Sequence, residues 1–264
     1  MNTRSWSIVH LVLTIALVVW SGLTNSGLVF EQSVGEISDQ TRNAFTPASW
    51  AFAIWGLIYA ALIVMGLFGV RRAFGSARSD AFVQQLGAPF AVAQLVCMAW
   101  LAAWLTGAFT LSMVLMTALL ASLYLCVCRL DMERWDAPWP IIAFVWWPMS
   151  AYFGWITAAW LANLSAWLVA LGSSLPTSAG WAIALAVVLT LVHLTLIHSR
   201  NMREASMVAV WALVAVGARH WDAPMESPVF LATTACAATL LIAAGAHARR
   251  NFTWPPREGA PSSF

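Results

Sequence analysis

Residues 43–70 read NAFTPASWAFAIWGLIYAALIVMGLFGV, and none of these side chains carries a charge. A bilayer core needs roughly 20 consecutive apolar residues per helix, and this run is long enough to cross it. Four further runs also lack charge: 5–30, 81–128, 137–199 and 227–248. Hydrophobic residues make up 61% of the 264 and charged residues 9%, whereas a soluble domain is about 25% charged. We therefore predict an all-α fold, a polytopic bundle of transmembrane helices.

The uncharged runs divide into about eight helices. The run 137–199 is too long for one crossing, and it splits at the Gly- and Ser-rich stretch 172–180. The shortest helix, 205–218, spans only if the arginines at its ends reach the membrane surface with their long side chains. The predicted helices cover 6–24, 47–70, 84–105, 109–128, 140–171, 181–198, 205–218 and 227–247.

The arginines predict the orientation. All 13 basic residues are Arg, and with eight crossings from a cytoplasmic N-terminus only Arg42 and Arg219 fall on the outer side. Basic residues concentrate on the cytoplasmic side of membrane proteins, so we predict that both termini are cytoplasmic. If the short helix did not span, the C-terminal arginines would move outside and weaken this bias. The net charge of +2 therefore reflects topology, and no nucleic-acid partner is expected.

Groups that carry catalysis are sparse in the predicted spans. Every acidic residue falls in a loop or at a helix boundary, which argues against a proton pump or an ion-coupled transporter. The absence of Lys excludes a Schiff base on this chain. No phosphate-binding loop, HExxH or GxSxG motif appears, and the four cysteines lack zinc-site spacing. We expect no catalytic set, no metal site and no covalently bound cofactor.

Two histidines, His10 and His193, lie inside predicted helices at similar depth. They could ligate a haem between the first and sixth helices. The alternative is that each histidine bonds to a neighbouring helix.

Tryptophan is strongly enriched, with 17 residues, and interfacial belts account for part of them. Others lie inside helices, where an indole N–H needs a partner. On the fifth predicted helix Tyr152, Trp155 and Asn163 share one face, and on the second Phe52 and Tyr59 flank Trp55. The predicted topology places aromatic residues and an amide at one depth in the outer half, beneath the loop 25–45. This arrangement fits a lidded pocket with apolar walls or an aromatic packing layer.

Two segments resemble the tryptophan-rich sensory protein family (TspO, translocator protein). Residues 46–59, TPASWAFAIWGLIY, are similar to the family's loop-to-helix signature of a Pro, W-x-F, a Trp and a Tyr. Residues 152–163 are similar to its fifth-helix pattern Y-x-x-W-x-x-x-A-x-x-x-N. The chain departs from the family where Ala48-Ser49 follows Pro47, at Ala151 in place of a Pro, and at Cys97 near a common Asn. The resemblance covers roughly residues 6–171, and the chain looks like the longer bacterial branch.

The resemblance implies a TspO-like five-helix core over 1–171. The uncharged runs and the Pro-rich end of the sequence predict three additional transmembrane helices over 172–248 and a disordered cytoplasmic tail over 249–264. It implies an inner-membrane bacterial sensor or transporter for porphyrin-like tetrapyrroles or sterol-like molecules, with a haem-type ligand and homodimers both compatible with it. A membrane enzyme that promotes porphyrin breakdown and a non-catalytic partner protein are the alternatives. The ligand-binding residues that the motifs and the shared depth predict are Pro47, Trp50, Phe52, Trp55, Tyr59, Trp100, Trp104, Tyr152, Trp155 and Asn163.

Overall fold

The computed structural model describes residues 1–75, 81–222 and 227–252. Within these ranges the regular structure is entirely helical, which confirms the predicted all-α bundle. The helices are α1 (Thr3–Asn25), α2 (Val34–Gln40), α3 (Ile54–Phe74), α4 (Ala81–Leu105), α5 (Phe109–Arg129), α6 (Trp139–Ala170), α7 (Ala179–Arg200), α8 (Arg203–Ala218) and α9 (Pro228–Phe252). A π turn interrupts α6 over Ile142–Trp146, and a 3₁₀ turn over Ser49–Ala53 precedes α3.

Seven of these helices are long and apolar enough to cross a membrane: α1, α3 with its preceding turn, α4, α5, α6, α7 and α9. The chain is therefore a multi-pass membrane protein whose environment is a lipid bilayer. α8 has 16 residues, which gives about 24 Å at 1.5 Å per residue against a hydrocarbon core of about 30 Å. An eighth crossing through α8 remains a prediction.

α8 nevertheless extends between the two ends of the bundle. Just before it, Asn201 donates a hydrogen bond to Glu133 in the α5–α6 connection, at 3.2 Å. Just after it, Arg219 forms an ion pair with Asp39 of α2. The short helix thus joins the end that carries the α5–α6 connection to the opposite end, which we call the α2 end.

The start of α1 and the end of α9 lie at the same end of the bundle, opposite the α2 end. Gln84 at the start of α4 donates to Thr3 at the start of α1 and accepts from Arg129 at the end of α5. His198 near the end of α7 packs against His247 near the end of α9, with ring centroids 6.1 Å apart. This agrees with the predicted same-side termini, although their cytoplasmic location remains a prediction. α9 continues to Phe252, and the rest of the predicted tail, 253–264, lies outside the described residues.

The additional helices pack directly on α6. Gly154 of α6 approaches the backbone of α8 so closely that a Cβ on it would lie 2.6 Å from the carbonyl oxygen of Ala205. Beside this contact, His193 of α7 lies 2.9 Å from the Thr157 hydroxyl and 3.3 Å from the Ser206 hydroxyl, so it connects three helices. Close backbone contact at small residues and polar contacts between helices are typical of membrane bundles.

His10, the other membrane histidine, bonds to the Gly87 carbonyl oxygen through Nε2 at 2.9 Å. Gly87 has φ 40°, which interrupts the helical path of α4 two residues before Pro89 and leaves this carbonyl available. Both histidines therefore contact neighbouring helices through Nε2, the arrangement expected of the structural alternative to haem ligation.

The predicted loop 25–45 contains an element that the sequence analysis did not anticipate, the short helix α2. Ser33 caps its start. The Glu36 carboxylate accepts hydrogen bonds from the Ser33 backbone N–H and hydroxyl, which forms a capping box. These hydrogen bonds hold the pKa of the Glu36 carboxyl below its ordinary value. At the same point the Trp104 indole N–H donates to the Val34 carbonyl oxygen, at 3.2 Å, and fixes α2 to α4.

Candidate ligand site

Residues 34–53, which we call the covering segment, lie across the α2 end of α3, α4 and α6. A cavity lies beneath this segment, and apolar and aromatic side chains make up most of its wall. The predicted site residues that line the cavity are Pro47, Phe52, Trp55, Trp100, Trp104, Trp155 and Asn163. We call this space the aromatic cavity.

Trp55 is the centre of the aromatic wall. Its ring stacks on Tyr59, with centroids 5.2 Å apart and planes 26° apart, and on Trp100 at 6.4 Å and 30°. It also meets Tyr152 and Trp155 edge to face, at 6.0 and 6.4 Å. Such pairs contribute about 0.5–1.5 kcal/mol each beyond area burial. The rings of the wall therefore stabilise one another, and they come from α3, α4 and α6.

Asn163, predicted as a ligand-binding amide, is engaged by the protein itself. Its Oδ1 accepts hydrogen bonds from Trp100 Nε1 at 2.9 Å and from the Ser112 hydroxyl at 2.8 Å. Its Nδ2 points to Met113 Sδ at 3.6 Å. A carbonyl oxygen has two lone pairs, so Oδ1 has no acceptor capacity left for a ligand. Asn163 instead orients the Trp100 indole on the cavity wall.

Trp155 differs from its neighbours in its hydrogen bonding. The indole N–H groups of Trp100 and Trp104 donate to protein oxygens. Trp155 is 2% exposed, and within the described residues its Nε1 has no hydrogen-bond partner. Buried polar groups are nearly always paired, and Trp155 lines the cavity, so its unpaired indole N–H is a candidate donor to a ligand acceptor.

Three predicted residues do not line the aromatic cavity. Trp50 is 44% exposed and packs edge to face on Trp211 of α8, at 4.7 Å. Trp50 and Phe52 are two residues apart in the 3₁₀ turn, so their side chains leave it about 120° apart. Tyr152 is fully buried behind Trp55. Tyr59 lines a different space.

That space is a second, more open cavity between α1, the covering segment, α3 and α4. Its cavity volume is about 610 Å³, whereas that of the aromatic cavity is about 40 Å³. Its lining combines Tyr59 with polar residues of α1 and α2, such as Ser21 and Asp39. Val34, Phe52 and Trp55 line both cavities and form the wall between them.

The sequence analysis missed the contribution of α8. Ala212 and Val216, one turn apart, line the aromatic cavity opposite the predicted residues. Small apolar residues at this spacing are common in any buried helix, so no signal in the sequence distinguished them.

The fold and this site define a polytopic α-helical membrane protein with an aromatic cavity beneath a folded covering segment. The sequence pattern of the TSPO-like protein family matches residues 7–246. The chain therefore belongs to the TSPO-like family, as the two motifs indicated, and this membership indicates a membrane ligand-binding protein. The match extends past residue 171, so the additional helices lie within the family pattern. Comparison with curated proteins and with solved structures gives no match.

Proposed function

We propose that the protein binds a flat, largely apolar molecule in the aromatic cavity and acts as a membrane sensor or transporter for it. The observation that carries this proposal is the unpaired indole N–H of Trp155 on the cavity wall. Leaving a buried donor unpaired costs about 1–3 kcal/mol, and a ligand carbonyl or carboxylate would remove that cost. Family membership supports the same conclusion.

The shape of the wall favours a porphyrin-like tetrapyrrole over a sterol-like lipid. The rings of Trp55, Trp100 and Trp104 lie within about 30° of parallel from one neighbour to the next. Such a surface suits the flat face of a conjugated macrocycle, and a propionate at its edge could accept from Trp155. A sterol offers one hydroxyl and a saturated face, so it would use the wall only for apolar contact.

A macrocycle does not fit the aromatic cavity in its closed form, because about 40 Å³ is open within it. Binding requires either that the covering segment moves or that Phe52 and Trp55 shift, which would join the two cavities. The setting we propose is the bacterial inner membrane, with the covering segment on the outer side. A homodimer is compatible with this arrangement.

The test is a titration of the full chain in lipid nanodiscs with protoporphyrin IX and, separately, cholesterol. Protoporphyrin binding is followed by the shift of its absorbance, because the chain has 17 Trp and single substitutions would confuse its own fluorescence. Trp155→Phe keeps an aromatic ring and removes the N–H. We expect at least about tenfold weaker porphyrin binding, since a hydrogen bond to a charged group contributes about 1.5–3 kcal/mol.

The matched control is Trp221→Phe, because Trp221 lies at the same end of the bundle and is 64% exposed. Its binding should equal that of the unaltered protein. Absence of binding by both probes to the unaltered protein would refute the proposed function. Equal affinities in Trp155→Phe and the control would remove Trp155 from the site.

The enzyme alternative has one supporting observation, the series of aromatic rings from Tyr59 through Trp55 to Trp100 and Trp155 at 5.2–6.4 Å between centroids. Redox-active aromatics next to bound porphyrin would promote its oxidative breakdown. Illuminating the protein with protoporphyrin in air tests this alternative, and a constant absorbance spectrum would reject it. A partner that co-purifies with the protein, without binding of either probe, would instead favour a non-catalytic partner protein.

A further inference from the structure

The covering segment is held by helices outside the predicted five-helix core. Arg219, which follows α8, forms an ion pair with Asp39 of α2 and donates from Nε to the Pro47 carbonyl oxygen at 3.2 Å. One side chain thus holds both the helix that begins the segment and the proline that lines the cavity.

Further hydrogen bonds join the covering segment to the same part of the chain. They join Ala48 N to the Ala215 carbonyl at 2.9 Å, Trp211 Nε1 to the Ala51 carbonyl at 3.1 Å, His220 Nε2 to the Ala44 carbonyl at 3.0 Å, and Ala44 N to the Pro176 carbonyl at 2.9 Å. All of them connect residues 44–51 to the part of the chain from 176 to 220. Residues 44–51 of the covering segment are therefore held in place by the additional helices and their connections.

The first residue of the covering segment is attached to other helices. Val34 at the start of α2 donates to Asn25 at 3.1 Å and accepts from Trp104 at 3.2 Å. With its start attached to α1 and α4, the segment can open at the α8 side while α2 remains in place.

The Arg219–Asp39 ion pair is partly exposed. The Arg219 side chain is 22% exposed and that of Asp39 is 42% exposed, so water and salt reach the pair from the Asp39 side. The backbone bonds to α8 lie beneath, next to buried apolar residues such as Val216. Because the cavity holds about 40 Å³ when closed, a macrocycle can enter on the α8 side only when the segment opens.

We propose that Arg219 is a positioning residue that holds the covering segment closed over the aromatic cavity, so that breaking its pair with Asp39 admits and releases ligand faster. This inference rests on the proposed function for the identity of the ligand. The role of Arg219 as the residue that holds the segment closed, which we call the latch, can be tested without a ligand. A contact of this kind present in both the empty and the filled protein changes the rates of binding and release together. It leaves the affinity nearly constant, whereas damage to the cavity weakens affinity.

The first experiment is hydrogen–deuterium exchange on the full chain in nanodiscs, with no ligand present. Arg219→Gln and Asp39→Asn should each speed exchange of amides in 39–53 by up to about fivefold, the range expected for an exposed ion pair. Arg42→Gln is the matched control, because it removes an exposed arginine from the same segment and should change nothing. High salt should reproduce the effect in the unaltered protein and add nothing in Arg219→Gln.

The second experiment measures protoporphyrin IX association and release by stopped flow on the same samples. Arg219→Gln should raise both rate constants by the same factor, with the dissociation constant within about twofold of the unaltered value. The charge-exchanged pair Asp39→Arg with Arg219→Asp should restore slow exchange in 39–53. If Arg219→Gln fails to fold, as judged by circular dichroism, Asp39→Asn provides the same test from the exposed side.

Unchanged exchange of 39–53 in both single variants would overturn the proposal. A weakened affinity with an unchanged association rate would also overturn it, because that pattern indicates damage to the cavity. If the unaltered protein binds no porphyrin, the proposed function fails, and the exchange experiment still decides whether Arg219 is the latch.

Discussion

Replacing Asn163 by leucine should destabilise the protein, because it removes the acceptor of two buried hydrogen bonds. Leucine keeps the branched shape of asparagine and is larger, so no cavity forms, and the cost comes from the Trp100 and Ser112 donors and from tighter packing. A buried orphan donor costs about 1–3 kcal/mol in soluble proteins, but hydrogen bonds in membrane proteins average only about 0.6 kcal/mol and reach about 1.7. The membrane values apply here, since unfolded helices in lipid also find partners. Two bonds then give about 1–3 kcal/mol of destabilisation.

The assay is reversible unfolding in mixed micelles, followed by far-ultraviolet circular dichroism. Trp100→Phe and Asn163→Leu, made singly and together, form a double-mutant cycle that isolates their interaction. We expect a coupling energy of about 0.6–1.7 kcal/mol. Since Asn163 acts on the cavity through Trp100, Asn163→Leu should weaken porphyrin binding in the unaltered background and add little in the Trp100→Phe background.

A matched cycle uses Trp104→Phe in place of Trp100→Phe. Trp104 lies on the same wall, but its N–H donates to Val34, so its coupling to Asn163 should be within about 0.5 kcal/mol of zero. Equal coupling in the two cycles would refute the assignment of Asn163 as the partner of Trp100. A direct contact between Asn163 and ligand would instead appear as an equal loss of affinity in both backgrounds.

Gly154→Ala should lower the free energy of unfolding by about 1–3 kcal/mol, because its Cβ would overlap the backbone of α8. Thermal unfolding in detergent tests this, and Gly245→Ala, whose Cβ would meet nothing within 4 Å, is the control. Ala212→Phe should fill the aromatic cavity and weaken porphyrin binding at least tenfold. Val214→Phe on the half-exposed face of α8 should not, and equal titrations would contradict the proposed wall. Because the Glu36 pKa is lowered on folding, its contribution to α2 is present above the unfolded pKa near 4.5 and disappears as pH falls through the lowered value. The protection factors of the α2 amides, which correct for the slower intrinsic exchange at low pH, should therefore fall on acidification, and Glu36→Gln, which can keep the capping box, should remove this dependence.

Much of the architecture followed from local properties of the sequence. Uncharged runs predicted the spans because the cost of placing charge in lipid acts on each segment independently. The helical period placed Trp155 and Asn163 on one face of α6, and the structure has them both on the cavity wall. Arginine placement predicted termini on one side, and the described ends of the chain lie at the same end of the bundle.

The tertiary structure decided how each polar group of the site is used. Trp100 and Asn163 were predicted as ligand contacts, yet they bond to each other across 63 positions of sequence, and no spacing rule shows such a pairing. The same holds for Arg219, whose contact with Pro47 spans 172 positions. The contact of Trp50 with Trp211 of α8 is likewise one between distant parts of the chain.

The sequence alone thus determined that this chain crosses the bilayer repeatedly and collects its tryptophans at one depth, because hydrophobicity and helical period are local. Only the tertiary structure decided that Trp155 retains an unpaired donor, that Asn163 Oδ1 already accepts two hydrogen bonds, and that α8 holds the covering segment. Those outcomes depend on which distant groups meet, since a hydrogen bond needs its two atoms about 3 Å apart.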